Sequence, residues 1–256
     1  MPLPSVGHSV GSPFIELLSA DSTNNYALGQ IHANLAQPGT CFFAHDQTAG
    51  KGQRGKSWAT EKGSNIILSI VLKPSFLQMF QQFRLSACAA VATQHFLGDH
   101  AGEAIKIKWP NDIYWKDNKI AGILIENIAR GSSADGGWEW AVVGIGINVN
   151  QTQFPAHLKN PVSLKQITGK SYNTVEMAKQ LCRCVDLFYN KLLDEKVDLI
   201  LGEYNAHLYK KNEVVKFKIE NRIFEARVKA VNEAGQLVAE HAIEERFDFG
   251  KVEWIM

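Results

Sequence analysis

The spacing of apolar and polar positions changes period along the chain, and each change marks an element. Residues 14–18, Phe-Ile-Glu-Leu-Leu, read as a short strand. Asp21-Ser22-Thr23-Asn24 follows with helix-capping side chains, so a helix is expected over about 23–35. Pro38-Gly39 is a turn, Thr40–His45 a strand, and the polar, glycine-bearing residues 46–58 a loop. Asn65–Leu72 is nearly all apolar and β-branched, as a strand buried on both faces would be. From about 79 to 98 the apolar residues fall at helical spacing. Ala104–Trp109 alternates, with Ile105 and Ile107 opposite Lys106 and Lys108, and Pro110 ends the ladder. Residues 119–129 and 138–149 read as a hairpin around the loop Gly131–Gly137, and 174–208 as one or two helices. Beyond 213, five short strands are separated by turns at Glu220-Asn221, Asn232–Gly235 and His241–Glu245. Strands and helices followed by a run of short strands predict an α+β fold. The units are 1–209 and a small β-barrel at 210–256.

Composition narrows the function classes. The 256 residues carry 27 Lys+Arg against 26 Asp+Glu, a net charge of +1. That balance excludes a nucleic-acid binder working through bulk charge. Hydrophobic residues make up 45%, enough for a full core in one large domain or a large one plus a small one. The start, Met1 to His8, shows no basic and apolar signal segment, and no apolar run approaches the roughly 18 residues of a membrane span. Cys41, Cys88, Cys182 and Cys184 form no C-x-x-C pair and sit in apolar or helical contexts. They read as buried free thiols, so the expected compartment is the cytoplasm.

Four segments carry chemistry. Gly50-Lys51-Gly52-Gln53-Arg54-Gly55-Lys56-Ser57 matches the P-loop pattern literally, but a strand follows where the phosphate-binding helix should be. Its glycines can still turn backbone amides toward an anion, and its cations can attract one; a plain solvated basic loop has the same composition. Lys108-Trp109-Pro110-Asn111-Asp112 places an amide and a carboxylate at a strand tip, suited either to Mg²⁺ or to capping a tight turn. Lys119-Ile120-Ala121-Gly122 opens an apolar strand with a lysine, which either protects a sheet edge or neutralises a bound anion. In Gly144-Ile145-Gly146-Ile147-Asn148, alternation sends Gly144, Gly146 and Asn148 to one face, where a ligand or another backbone must come close.

Taken in order, these segments resemble the biotin protein ligases, also called biotin–[acetyl-CoA-carboxylase] ligases or holocarboxylase synthetases. The resemblance runs from about Asp21 to the end of the chain. It rests on Asp21-Ser22-Thr23-Asn24, on Gln47-Thr48-Ala49-Gly50-Lys51-Gly52-Gln53-Arg54-Gly55 with Trp58, and on the three later motifs. It implies a mixed β-sheet with helices mainly on one face, of the class II synthetase-like kind, followed by an SH3-like barrel. About a dozen residues precede the first strand, too few for a DNA-binding module, so the expected type is monofunctional, without DNA or membrane partners.

The implied activity is ATP-dependent and AMP-forming. The biotin carboxylate attacks the α-phosphate of ATP to give biotinyl-5′-AMP and pyrophosphate, and a lysine of a biotin carboxyl carrier domain then takes the biotin and releases AMP. The resemblance assigns Lys119 and Lys51 to catalysis. It assigns Ser22, Thr23, Asn24, Gln47, Gly50, Lys51, Lys119, Gly122, Gly144 and Gly146 to biotin. ATP falls to Lys51, Gly52, Gln53, Arg54, Trp58, Lys108, Asn111, Asp112 and Asn148, with Mg²⁺ on Asp112. Trp58 either stacks on adenine or packs against the loop. The carrier is expected to dock by strand addition, and sheet edges also allow a homodimer.

The chain departs from the commonest family loop, G-R-G-R-x-G, at two positions. Lys51 keeps the charge without the planar fork, and Gln53 loses the charge, which weakens the hold on the adenylate. Two other readings compete. A lipoate ligase or octanoyltransferase shares the fold, but its longer glycine run with arginines and serine is not found. A non-catalytic binding module would need no lysine beside Asn111-Asp112.

Overall fold

The structure is a computed structural model, and it describes residues 9–129 and 138–255. The chain start and the expected loop Gly131–Gly137 lie outside the described residues.

Seven strands form the main sheet: β1 (Phe14–Leu17), β2 (Cys41–Ala44), β3 (Ile66–Leu72), β4 (Ile105–Lys108), β5 (Asp112–Trp115), β6 (Asn118–Ala129) and β7 (Trp138–Ile147). Their spatial order is β1-β2-β3-β7-β6-β5-β4. β1 and β2 are parallel and the remaining pairs antiparallel, so the sheet is mixed. Strand β5 was not expected. Its four residues follow Pro110-Asn111, and that punctuation reads locally as a turn.

The helices are α1 (Thr23–His32), α2 (Gln82–Ala101), α3 (Leu164–Thr168), α4 (Thr174–Leu193) and α5 (Val197–Ala206). Helices α2, α4 and α5 cover one face of the sheet, where Ile66, Leu68, Ile70, Ile145 and Ile147 join Leu85, Phe96, Leu181 and Phe188 in one core. Helix α1 is, among the described residues, the one helix on the other face, over the small cluster Ala27, Ile31, Phe42, Val71 and Val142. It covers only part of that face: Asn24 of the helix lies over Gly144, and the part beyond the helix holds Gly122 and Gly146. The four cysteines are free thiols, three of them buried. No helix among the described residues is long and apolar enough to cross a membrane.

The second sheet has β8 (Val214–Ile219), β9 (Arg222–Val231), β10 (Leu237–Glu240), β11 (Glu244–Phe247) and β12 (Glu253–Ile255), in the order β11-β10-β9-β8-β12. All its pairs are antiparallel. Phe247 from one edge and Trp254 from the other both meet the buried Phe217, so the sheet curls around that ring. No β11–β12 ladder closes it into a barrel among the described residues. Two sets of hydrogen bonds help fasten the curled sheet to the main unit. Trp109 Nε1 donates to Gly235 O at 2.9 Å. Asn205 of α5 both donates to and accepts from the Val231 backbone, at 2.9 and 2.7 Å.

Candidate active site

Strand register sets out the floor of the site. Lys108 pairs with Asp112, Asp112 with Gly122, Gly122 with Gly146 and Gly146 with Ile67, one row across five strands. The next row on the same face runs Phe42, Ser69, Gly144, Leu124. Side chains alternate across a sheet, so every residue in these rows points to the α1 face. The glycines make a trough with a lysine and a carboxylate at one end.

Side chains of the protein lie in that trough. A Cβ on Gly146 would sit 2.5 Å from Cε2 of Trp58, and one on Gly122 would sit 3.2 Å from its Cζ3. A Cβ on Gly144 would collide with the amide of Asn24. The close approach inferred for these glycines is therefore made by Trp58 and Asn24. Trp58 packs on the floor, its Nε1 buried with no hydrogen-bond partner among the described residues. That orphaned donor costs stability and is available to an acceptor that reaches the trough.

Helix α1 delivers Thr23 and Asn24 into a chain of polar contacts. Ser22 occupies the N-cap position, but its side chain caps nothing. The cap comes from Gln47 instead, whose Oε1 accepts from the Thr23 amide at 3.0 Å. From there Ser69 Oγ lies 2.7 Å from Thr23 Oγ1 and 2.6 Å from Asn24 Oδ1. One hydroxyl carries one proton, so Ser69 donates to one of the two and accepts from Thr23 when it serves Asn24. Asn24 Nδ2 donates to Glu126 Oε2 at 2.7 Å, and Glu126 Oε1 stands 3.7 Å from Lys51 Nζ. Ser69 and Glu126 were missed in the sequence. Each is a polar residue inside an apolar strand run, which was the available signal.

Residues 50–58 form a small hairpin. Trp58 N donates to Gly50 O, Gly52 N to Lys56 O, and Lys51 bridges Ser57. The amides of Gly52, Lys56 and Trp58 are thus engaged within the loop rather than turned toward a ligand, as the glycine spacing alone had allowed. Gly50 must be glycine because a Cβ there would meet the Trp58 carbonyl and the Gln47 amide. The tip, Gln53–Gly55, holds Arg54 at φ 57 and points it toward the second sheet, away from the floor. Between this hairpin and Leu124 and Glu126 of β6 lies a cavity of about 470 Å³. That falls within the roughly 300–1,000 Å³ typical of small-molecule pockets.

Lys119 Nζ makes a 2.7 Å ion pair with Asp112 Oδ1 and stands 5.6 Å from the Trp58 ring centre. Its backbone is held on both sides, since its N donates to Asn160 O and its O accepts from Val162 N. The two amides expected at the nucleotide act on this frame. Asn111 Nδ2 donates to Ile123 O, and Asn148 Nδ2 donates to Val162 O at 3.1 Å and to Lys119 O at 3.5 Å. Both amino groups therefore position backbone. Lys108 Nζ donates to Tyr114 Oη at 3.1 Å and lies over the rings of Tyr114 and Trp254. Burial lowers its pKa to about 8; Asp112 opposes the shift, while Lys119 and Lys56 add to it. No group of three or more His, Cys, Asp or Glu side chains able to hold a metal occurs among the described residues.

Comparison with known proteins fits this geometry. The chain is 34% identical over 164 residues to the bifunctional ligase/repressor BirA of Bacillus subtilis, covering 62% of this chain and 49% of that protein. It is 37% identical over 136 residues to the biotin–[acetyl-CoA-carboxylase] ligase of Paracoccus denitrificans, covering 52% and 53%. The chain thus spans about half the length of the curated relatives it matches. Among solved structures, the biotin protein ligase of Aquifex aeolicus in complex with biotin and ATP superposes with a TM-score of 0.78 at 24% identity, over 94% of this chain and 98% of that one. The Leishmania major enzyme with biotinyl-5-AMP gives 0.57 at 22%, over 92% and 97%. At these identities the likeness shows the fold. The sequence profile of the biotin/lipoate A/B protein ligase family matches residues 17–148, just over half of the chain and the stretch that builds the trough, and the chain belongs to that family.

Proposed function

We propose that this chain is a biotin protein ligase that forms biotinyl-5′-AMP from biotin and ATP and passes the biotin to a carrier-domain lysine. The observation that carries the reading is Lys119, fixed by backbone bonds at the end of a glycine trough and paired with Asp112. Joining a carboxylate to a triphosphate brings two anions together, so the site must offer preset positive charge and exclude water. Lys119 takes the biotin carboxylate and the α-phosphate. Lys51 closes over them with the loop, and Lys108 meets the outer phosphates. The polar chain Gln47-Thr23-Ser69-Asn24 presents the donors and acceptors that a ureido ring requires. Gly50, Gly122, Gly144 and Gly146 keep the backbone low enough for a ligand to displace Trp58 from the floor, and Trp58 then stacks on the ligand.

Mg²⁺ would be held by Asp112 together with the triphosphate. One carboxylate plus phosphate oxygens is the usual Mg²⁺ arrangement, and Asp112 has a second oxygen beside the one on Lys119. The ion would neutralise phosphate charge. The carrier would dock on β6. There β5 pairs only as far as Gly122, leaving residues 124–129 with an unpaired edge among the described residues, beside the cavity. A second copy of the chain could use the same edge. Residues 1–209 form the substrate-binding unit and 210–256 the accessory unit, working in a reducing cytoplasm that keeps the four thiols free.

The test is pyrophosphate exchange into ATP, run separately with biotin and with lipoate. Exchange with biotin alone is expected. Exchange with lipoate alone moves the chain to the lipoate branch of its family, and exchange with neither removes the catalytic reading.

A further inference from the structure

Arg54, at the tip of the loop, points away from the floor. Its guanidinium carbon lies 4.7 Å from the ring centre of Phe249, in the turn between β11 and β12. Beside it, Gly250 has φ +85, and a Cβ there would fall on the guanidinium itself. Among the described residues Arg54 forms no salt bridge, so ring and glycine are the contacts that locate it. Phe249 is 46% exposed, an aromatic side chain with little core use. The same ring meets Trp109 edge-on at 6.1 Å. Trp109 immediately precedes Pro110-Asn111-Asp112, is buried, and donates to Gly235 O. Gln236 Nε2 in turn donates to Asp248 Oδ1 at 2.8 Å, which holds the turn. The position of Phe249 is therefore referenced to the segment that carries Asp112.

We propose that the turn Asp248–Gly250 is the seat for the tip of the glycine-rich loop, and that Phe249 and Gly250 are positioning residues that act through Arg54. Seated, the hairpin stays down over the trough; released, it lifts. The second sheet thereby sets how long an activated intermediate is retained before the acceptor lysine arrives. That last step rests on the ligase reading, whereas the docking does not.

The docking is tested on the full chain without substrate, by amide hydrogen exchange at Gly52 and Trp58. Loss of an exposed cation–π contact should speed exchange about two- to fivefold. Arg54→Ala and Phe249→Leu should each do so, and the double variant should go no further, since both break one contact. Phe249→Leu keeps apolar volume against Trp109 but removes the π face, and Phe249→Trp should restore protection. Gly250→Ala should match Arg54→Ala by displacing the guanidinium. Unchanged exchange in Phe249→Leu, or effects that multiply in the double variant, overturns the seat. With biotin and ATP added, free adenylate per pyrophosphate formed should rise by the same factor. If the parent chain makes no adenylate, the ligase reading fails, while the exchange data still decide the docking.

Discussion

The floor of the trough and the loop above it each set one lysine against one carboxylate, and the two pairs are built differently. Lys119 and Asp112 belong to adjacent strands, approach to 2.7 Å and are about a quarter to a third exposed. Lys51 rides on the hairpin, 3.7 Å from Glu126 of β6, and is 43% exposed. The first pair is located by the sheet ladder and by the backbone bonds of Lys119 to Asn160 and Val162. The second depends on where the hairpin sits. A charge that must meet developing negative charge needs to be in place beforehand, because reorganisation during the reaction would offset its benefit. A charge that helps to capture a ligand can move with the loop that encloses it. The sheet thus supplies fixed charge and the loop supplies charge that closes.

Replacing Lys119 should break this comparison most severely. A charge-assisted hydrogen bond contributes roughly 1.5–3 kcal/mol, so Lys119→Ala should slow biotin-dependent pyrophosphate release about ten- to hundredfold. The loss should appear in kcat as well as kcat/KM, because the contact strengthens as charge develops. Near-normal release would show that the fixed pair is a strand-edge device and no part of the chemistry.

The loop pair should give a smaller effect of a different kind. Exposed ion pairs contribute roughly 0.2–1 kcal/mol, so Lys51→Ala should raise KM for biotin about two- to fivefold and leave most of kcat. Glu126→Gln sharpens the point. It keeps an oxygen for Asn24 and removes the charge facing Lys51. If the ion pair acts by holding the hairpin down, the two variants should match in KM. A kcat loss in Lys51→Ala as deep as that of Lys119→Ala would erase the distinction between fixed and closing charge.

The sequence made the floor legible where the physics is local. Alternation alone put Gly144, Gly146 and Asn148 on one face, and the register places Gly144 and Gly146 on one face, while Asn148 lies past the end of the strand. The run of strands and helices before 209, and the strands after 213, were also readable, because each burial pattern lies within one segment; that they build a mixed sheet with helices mainly on one side came from the family resemblance. What could not be read depends on contacts between distant segments. Gln47 caps α1 across 24 residues, while Ser22, in the expected position, does not. Ser69 in Ile66–Leu72 was visible as one polar exception, but nothing in that run says that it meets Asn24. Trp58 on Gly146 and Arg54 on Phe249 join parts of the chain whose spacing carries no common period. Strand β5 was hidden because it is only four residues long: the turn at Pro110 and Asn111 was legible, but not that the chain doubles back across it to pair with β4.

The finest test of fixed against closing charge uses the third lysine of the site. Lys108 heads the row that contains Asp112 and Gly122, and burial brings its pKa to about 8 from the usual lysine range. A lowered lysine pKa means that the neutral form gains as pH rises through 8, so the charge available to a phosphate halves near pH 8. KM for ATP should therefore rise about twofold between pH 7 and pH 8 and continue upward, while KM for biotin stays level. ATP binding above pH 8 should also take up a proton, measurable as a buffer-dependent binding enthalpy, because phosphate favours the charged lysine. Arginine remains charged throughout this range, so Lys108→Arg should flatten the ATP profile and abolish the proton uptake. A wild-type profile already flat through pH 8 would place Lys108 outside the phosphate path and leave Lys119 as the sheet's working charge.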